Sequence, residues 1–291
     1  MIFNKNLLLV LRPTQWLKNF LIFLPLILAQ KFELDLIIKC FHGIILFSIL
    51  ASSIYIFNDI KDVDTDTNHP KKRFRPIASG EINLTTAYIF FWFLSLSILL
   101  LTFLLDEELF ILFLIYFILN IFYTQILKKI LIIDICLLSF FYILRILVGS
   151  ELTLIESSYW LISFSFFFFL YLSLLKRYNE LSIVKQNSSN RPYKKNDKNL
   201  LLILSTCIGL LSILIFSLYL NSDSAKFIYT NQKFLWLVNF ILFYWIARIL
   251  FLVNRGIVDD DPFNFIIKDK LTYIILIIIS ILLLFASGYL I

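Results

Sequence analysis

Residues 58–66 read Asn58-Asp59-Ile60-Lys61-Asp62-Val63-Asp64-Thr65-Asp66, a burst of carboxylates closing a long apolar run. At about 100° per residue, an α-helix places Asp59, Asp62 and Asp66 within an arc of about 60°, and Asn58 widens that arc to about 100°. Asp64 points away from them. Carboxylates gathered on one helical face repel one another unless a cation sits among them, and an all-oxygen set suits Mg²⁺ carried on a phosphate substrate. The plainer alternative is a solvated helix end beside a basic loop. The residues that follow, His69-Pro70-Lys71-Lys72-Arg73-Phe74-Arg75-Pro76, favour the metal site. They set four cations beside the acids, able to hold phosphate oxygens.

The apolar run before the cluster is one of many. Hydrophobic residues make up 60% of the 291 positions, charged residues 16%, and 32 residues are phenylalanine. A soluble domain of this length could not safely expose such a surface. The composition therefore predicts an all-α, polytopic membrane protein. A hydrocarbon core of about 30 Å needs about 20 apolar residues per helix. Nine candidate spans follow, at roughly 17–31, 36–58, 84–105, 109–125, 131–149, 158–175, 199–221, 233–253 and 271–291. They are expected to form one transmembrane domain, residues 1–291, around a central cavity.

The Lys and Arg residues give the expected orientation, because cytoplasmic loops hold the excess. With the N-terminus inside, 20 of the 26 fall in cytoplasmic segments. Lys31, Lys39, Lys226 and Lys233 fall outside, and Arg145 and Arg248 lie within helices. The outer loops hold Asp106, Glu107, Glu108, Glu151 and Glu156 with no cation among them. The aspartate cluster then faces the cytoplasm of a bacterial-type inner membrane, and the C-terminus lies outside. This asymmetry and anionic lipid account for the net charge of +6, so no nucleic-acid partner is invoked. The run from Leu7 to Leu11 is too short for a cleavable signal, and Arg12 and Pro13 break it. Cys40, Cys136 and Cys207 sit far apart in apolar helices and read as small buried residues rather than metal ligands.

Other polar residues punctuate the spans. Arg12-Pro13-Thr14-Gln15-Trp16-Leu17-Lys18-Asn19 opens the first; Arg12 and Lys18 read as positive-inside anchors, or Lys18 and Asn19 face a polar cavity. The segment 67–83, with two prolines, a glycine and an aromatic residue, reads as an ordered part of a cytoplasmic cap. Its His69 has one other histidine in the chain, His42, and so makes no zinc site. Tyr123 and Lys128 are either a helix end or phosphate ligands, and Lys129 reads as the former. Arg145 is expected to snorkel to outer headgroups in preference to binding a ligand. Lys176 and Glu180, at i and i+4, form a possible surface pair. Residues 185–197 read as a mobile polar loop, and Asp259-Asp260-Asp261 as a loop or cap before a metal site.

Nine spans, a cytoplasmic N-D-x-x-D-x-x-x-D cluster closing the second, and a basic loop after it resemble the UbiA-type intramembrane prenyltransferase superfamily. Aromatic prenyltransferases of that superfamily carry a second aspartate motif at the end of the sixth helix. Here the corresponding residues are Lys176-Arg177-Tyr178-Asn179-Glu180, which argues against two equivalent motifs. The sequence is more similar to the polyprenyl-phosphate phosphoribosyltransferase branch, typified by decaprenyl-phosphate phosphoribosyltransferase. That similarity rests on R-P-x-Q-W-x-K-N at 12–19, the run from Asn58 to Gly80, K-R-x-x-E at 176–180 and D-P-x-x-x-x-x-x-D-K at 261–270. It implies phosphoribosyl pyrophosphate as donor, a polyprenyl monophosphate as acceptor and pyrophosphate as leaving group. In that chemistry Asn58, Asp59, Asp62 and Asp66 would hold Mg²⁺ on the pyrophosphate, with Lys71, Lys72, Arg73 or Arg75 closing over it. Lys18, Lys128, Lys176 and Arg177 are the candidates for the acceptor phosphate. Asn19, Tyr123 and Glu180 complete the expected substrate contacts. The alternatives are a prenyl transfer from a polyprenyl diphosphate to an aromatic ring and, from another class, a transporter or lipid-binding protein, for which no internal repeat is visible.

Overall fold

The computed structural model describes residues 7–68, 71–183, 191–258 and 261–288. His69, Pro70, Asp259, Asp260 and residues 185–190 of the loop expected to be mobile lie outside these residues. The described residues contain no strand. Their α-helices are α1 (Leu24–Ala29), α2 (Leu34–Lys61), α3 (Val63–Thr67), α4 (Leu84–Leu105), α5 (Glu107–Gln125), α6 (Ile133–Thr153), α7 (Tyr159–Ile183), α8 (Lys198–Leu220), α9 (Asp223–Ile228), α10 (Lys233–Asn254), α11 (Pro262–Lys268) and α12 (Lys270–Ser287). The chain divides into two compact units, residues 1–157 with 188–192 and residues 158–187 with 193–291.

Among the described residues eight helices are long and apolar enough to cross a membrane: α2, α4, α5 and α6 in the first unit, and α7, α8, α10 and α12 in the second. The first candidate span, 17–31, is not among them. Its residues fall into a 3₁₀ helix, Pro13–Phe23, and the six-residue α1. Pro25 supplies a physical reason for the break. It has no N–H to donate, and its ring would collide with the carbonyl of Leu21 if an α-helix ran through it.

Runs of 3₁₀ helix rarely exceed four residues, yet this one has 11. The neighbouring helix explains its length. Three residues of 3₁₀ helix rise about 6 Å, as do four residues of α-helix, so a row of side chains at i, i+3, i+6 can match a row at j, j−4, j−8 on an antiparallel α-helix. Trp16 and Asn19 form such a row against Ser52 and Ser48 of α2. The Trp16 indole donates to Ser52 Oγ at 3.0 Å, the Asn19 amide donates to Ser48 Oγ at 2.8 Å, and Cys40 Sγ lies 3.9 Å from the Ile22 carbonyl. The same helix lies so close to α6 that a Cβ on Gly149 would collide with the Ile22 carbonyl oxygen and come within 2.9 Å of its carbon.

The rest of the first unit packs on α2. Phe47 meets Phe113 edge to face at 5.3 Å and Tyr116 at 4.5 Å. The basic loop is ordered, as its composition predicts: Ile77 and Ile82 are buried with Ile56, Phe57 and Phe91, and Ile82 N–H donates to the Pro76 carbonyl at 2.9 Å. Asn83 and Asp106 cap α4 and α5 by accepting from Thr86 and Leu109 N–H, each at 2.7 Å.

In the second unit α7 packs on α8, and Tyr171 OH donates to the Ile246 carbonyl of α10 at 2.7 Å. Arg248 grips Asp269 with two hydrogen bonds of 2.6 and 3.0 Å, while Asp269 also accepts from Thr272 N–H at the start of α12.

The two helix-packing glycines make a paired test. A Cβ at Gly209 would lie 2.9 Å from the Ile246 Cγ2 methyl and 3.1 Å from the Tyr171 ring, side-chain atoms that have only a few tenths of an ångström to give, whereas the Cβ at Gly149 overlaps backbone atoms of Ile22. Gly149→Ala should therefore lower the melting temperature in detergent by about 5 °C or more, the scale of about 1–3 kcal/mol of overpacking, and Gly209→Ala by clearly less. Equal shifts would contradict the rigid contact with Ile22.

Candidate active site

The carboxylates gather where α2 ends. Asp62 leaves the helical region at φ −102°, ψ 8°, and α3 begins with the next residue. The four-residue hydrogen bonding survives this break: Asp62 N–H donates to the Asn58 carbonyl at 2.9 Å, and Asp66 N–H to the Asp62 carbonyl at 2.8 Å. Asp59 and Asp66, seven residues apart and thus nearly eclipsed on a helix, consequently turn inward, and each is 3% exposed. Asp64 points to solvent, as its position on the helix predicts.

Buried carboxylates need partners, and three distant segments supply them. Arg12, at the head of the 3₁₀ helix with φ 51°, places its guanidinium on Asp59 and over the Tyr55 ring. Arg75 Nη1 donates both to Asp59 Oδ1 at 3.1 Å and to Asp66 Oδ2 at 2.5 Å. Lys128, 3% exposed, donates to Asp62 Oδ1 at 2.6 Å. Burial lowers the pKa of this ammonium from the usual lysine value, and the Asp62 carboxylate opposes the shift. Thr124 donates to the Asn58 side-chain oxygen. Beside these residues lies a cavity of about 290 Å³ lined by Lys61, Thr124, Gln125, Lys128 and Lys129.

A second cluster in the same unit joins Asp134, wholly buried, to Tyr123 and Arg191 at 2.9 and 2.8 Å. Arg191 also donates to the Tyr123 hydroxyl at 2.9 Å.

Of the basic run, Arg75 reaches the carboxylates. Arg73 is exposed and lies over the Phe74 ring, while Lys71 and Lys72 precede it on the same turn. Lys18 and Asn19 are buried deeper in the unit. The Lys18 ammonium is 5.9 Å from the centre of the Tyr142 ring, and Asn19 bonds to Ser48 and Arg145. Arg145 does not snorkel as expected. It is 4% exposed and donates to Asn19, the Phe141 carbonyl and Tyr116.

In the second unit, Arg177 is 1% exposed and donates to Glu180 Oε2 at 2.5 Å. Lys176 lies 3.5 Å from Asp261, so the expected pairing of Lys176 with Glu180 is replaced by these two. Asp261 caps α11 by accepting from Phe263 N–H at 3.1 Å, while the other two acids of the late run lie outside the described residues.

The contacts of Arg12, Thr124, Asp134 and Arg191 are not legible in the sequence. Arg12 opens the R-P-x-Q-W-x-K-N motif, where a cation at a helix start reads as an anchor. Asp134 and Arg191 are far apart in sequence and carry no local signal.

The arrangement also tests whether a metal ion would fit. Among the described residues no three acidic, histidine or cysteine side chains gather as a metal site. Two buried carboxylates nevertheless converge on one nitrogen of Arg75, so a single cationic point already receives oxygens from Asp59 and Asp66. Phosphate oxygens and water commonly complete a Mg²⁺ shell around one or two carboxylates, so the donor set suits that ion.

Residues 20–255 match the UbiA prenyltransferase family. The chain belongs to this family. Among curated relatives, the uncharacterised protein y4nM of Sinorhizobium fredii is 32% identical over 93% of this chain and 54% of its own length. A decaprenyl-phosphate phosphoribosyltransferase of Mycolicibacterium smegmatis is 31% identical over 63% of this chain and 59% of its own. This UbiA-family chain thus spans little more than half the length of these relatives. A UbiA homologue from Archaeoglobus fulgidus, solved bound to DMAPP and Mg²⁺, shares the fold with a TM-score of 0.72 at 14% identity, covering 97% of this chain and 99% of that one.

Arg75→Ala leaves Asp59 and Asp66 facing one another. In EDTA its melting temperature should fall by several degrees, because removing one member of a buried ion pair strands the other. Millimolar Mg²⁺ should then raise it more than it raises the wild type, as the ion takes the guanidinium's place. An equal response in both proteins would remove these two carboxylates from the metal site.

Proposed function

We propose that the protein transfers a 5-phosphoribosyl group from phosphoribosyl pyrophosphate to a polyprenyl phosphate in a bacterial-type inner membrane. The observation that carries this reading is the buried Arg177 paired with the partly exposed Glu180, next to Lys176 in the chain. It stands where aromatic prenyltransferases have a second aspartate motif, so a cation replaces a second acidic metal ligand. The mycobacterial phosphoribosyltransferase among the relatives supports the same substrates.

In this reaction the bond from ribose C1 to the pyrophosphate oxygen breaks, and its electron pair leaves with pyrophosphate. An oxygen of the lipid phosphate forms the new bond to C1. The acceptor is already an anion at neutral pH and requires no strong general base, which suits a chain with two histidines. Positive charge develops on the ribose as the leaving group departs, so the greatest help is cationic stabilisation of pyrophosphate. Mg²⁺ held by Asp59 and Asp66, with Asn58 and Asp62 beside them, would neutralise part of the leaving-group charge.

Arg12 and Arg75, with Lys71, Lys72 and Arg73 before it, hold pyrophosphate oxygens. Lys128, Tyr123 and Lys18 serve the remaining phosphate and ribose contacts of the first unit, with Asn19 held by Ser48 and Arg145 beside Lys18, and Lys176, Arg177 and Glu180 form a polar group of the second unit. The whole of residues 1–291 acts as one domain. The 3₁₀ helix and α1 supply the ninth crossing: about 22 Å of the first and about 9 Å of the second match a hydrocarbon core of about 30 Å. The excess of Lys and Arg sets the carboxylate end in the cytoplasm.

Purified protein with Mg²⁺, radiolabelled phosphoribosyl pyrophosphate and a polyprenyl phosphate should move label into the organic phase. Asp59→Asn and Asp66→Asn should each lower the rate by about 100-fold or more, the scale on which electrostatic stabilisation is lost, while Asp64→Ala stays within about threefold. No label with several acceptor lengths, alongside prenylation of an aromatic acid from a polyprenyl diphosphate, would overturn the assignment.

A further inference from the structure

Arg145 is a cation in the interior of the first unit with no carboxylate among its partners. Its Nε donates to Asn19 Oδ1 at 2.8 Å, Nη1 donates to the Phe141 carbonyl, and Nη2 lies 3.4 Å from the Tyr116 hydroxyl. The rings of Phe47, Tyr116 and Tyr142 surround the guanidinium at 4.8, 5.4 and 5.8 Å, and their π faces partly replace a counter-ion. A charge kept at this depth serves more than general packing, since an uncharged donor would avoid the desolvation cost. What the guanidinium offers is a rigid fork that bonds in three directions at once.

One prong of that fork decides the rest. Asn19 has a single side-chain oxygen, and Arg145 takes it, which leaves the amide nitrogen to donate to Ser48 on α2 at 2.8 Å. The bond therefore fixes which way the Asn19 amide faces and locks this rung, one turn on from Trp16, onto Ser48 of α2. A slip of one residue would move the 3₁₀ helix about 2 Å along its axis and turn it about 120°. Arg12 is seven residues from Asn19 on the same element, and such a slip would carry its guanidinium off Asp59.

We infer that Arg145 is a positioning residue: through Asn19 it sets the register of the 3₁₀ helix on α2, and so delivers Arg12 to Asp59. The inference rests on the proposed function only in treating Asp59 and Arg12 as part of the reaction site.

Cys40 provides a native probe that needs no turnover. It is fully buried beneath the 3₁₀ helix at the Ile22 carbonyl, whereas Cys207 is exposed. Labelling with N-ethylmaleimide in detergent, read by peptide mass spectrometry with Cys207 as reference, should find Cys40 protected in the wild type and in Arg12→Ala. Arg145→Met and Asn19→Leu, which break the bond from opposite ends, should each raise Cys40 labelling about fivefold or more relative to Cys207. Asn19→Asp, which keeps an acceptor for Nε, should keep Cys40 protected.

In the transfer assay, Arg12→Ala and Arg145→Met should each lower kcat/KM by about tenfold or more, and the double variant should match Arg12→Ala within about threefold, because both act through one group. Continued protection of Cys40 in both Arg145→Met and Asn19→Leu, or losses that multiply in the double variant, would overturn the inference. So would a raised donor or acceptor KM in Arg145→Met with Cys40 still protected, which would make Arg145 a phosphate ligand. If the wild type transfers nothing, the proposed reaction fails and the labelling alone decides the register.

Discussion

The arrangement of the first unit depends on the need to neutralise carboxylates that α2 and α3 turn inward. Asp59 and Asp66 are too buried to rely on water, and an unpaired carboxylate in that setting would cost several kcal/mol. Arg12, Arg75 and Lys128 come from three separate segments to meet Asp59, Asp66 and Asp62. Three charges of each sign therefore balance at one end of the unit. This neutralisation also explains why the basic loop is ordered: Arg75 is held by its ion pairs, and Ile77 and Ile82 anchor the turn that follows.

The second constraint is geometric. A chain that breaks at Pro25 cannot present one straight α-helix over residues 17–31, and the stretched 3₁₀ form keeps its polar row in step with α2. The match of about 6 Å per rung lets Trp16 and Asn19 place their donors on successive serines without strain in α2. The opposing wall is equally specific, because Gly149 admits the Ile22 carbonyl and Arg145 fixes Asn19. Two facing helices thus hold an element that is too thin to make a large apolar interface of its own.

Most of the fold was legible in the residues. Apolar runs of spanning length gave the eight long helices, and α4 falls on its expected bounds of 84–105. The inward face of Asp59 and Asp66 and the outward face of Asp64 followed from helical periodicity, which the break at Asp62 leaves nearly intact. Other features were not legible because they arise from contacts between distant segments. Hydropathy cannot distinguish a 3₁₀ helix from an α-helix, although Pro25 marked where the latter had to stop. Snorkelling is the usual answer for a lone cation in a span, and apart from Phe141 and Tyr142 one turn back on α6, the partners of Arg145 (Asn19, Phe47 and Tyr116) lie on other elements where no local pattern points to them. Likewise, Lys128 and Arg75 each follow from the cation-rich stretches, but which carboxylate each would take depends on packing.

The charge balance bears directly on how such a site would accept its substrates. Three carboxylates facing three cations make this cluster neutral, so it can be buried without a further counter-ion. On the proposed reading, Asp59 and Asp66 would hold the divalent cation that accompanies pyrophosphate, and Arg75 would give up their oxygens to do so. A guanidinium displaced from those oxygens would itself need a new anion, and the nearest is the pyrophosphate that arrived with the metal. The exchange replaces carboxylate–guanidinium contacts by carboxylate–metal and phosphate–guanidinium contacts, so the number of buried unpaired charges need not rise at any stage. Arg12 and Arg75 would then serve twice, as counter-ions that let the carboxylates be buried and as ligands that close over the leaving group. That dual use requires flexible guanidiniums carried on fixed backbones. The 3₁₀ helix locked to α2 provides such a backbone for Arg12, and the turn anchored by Ile77 and Ile82 provides it for Arg75.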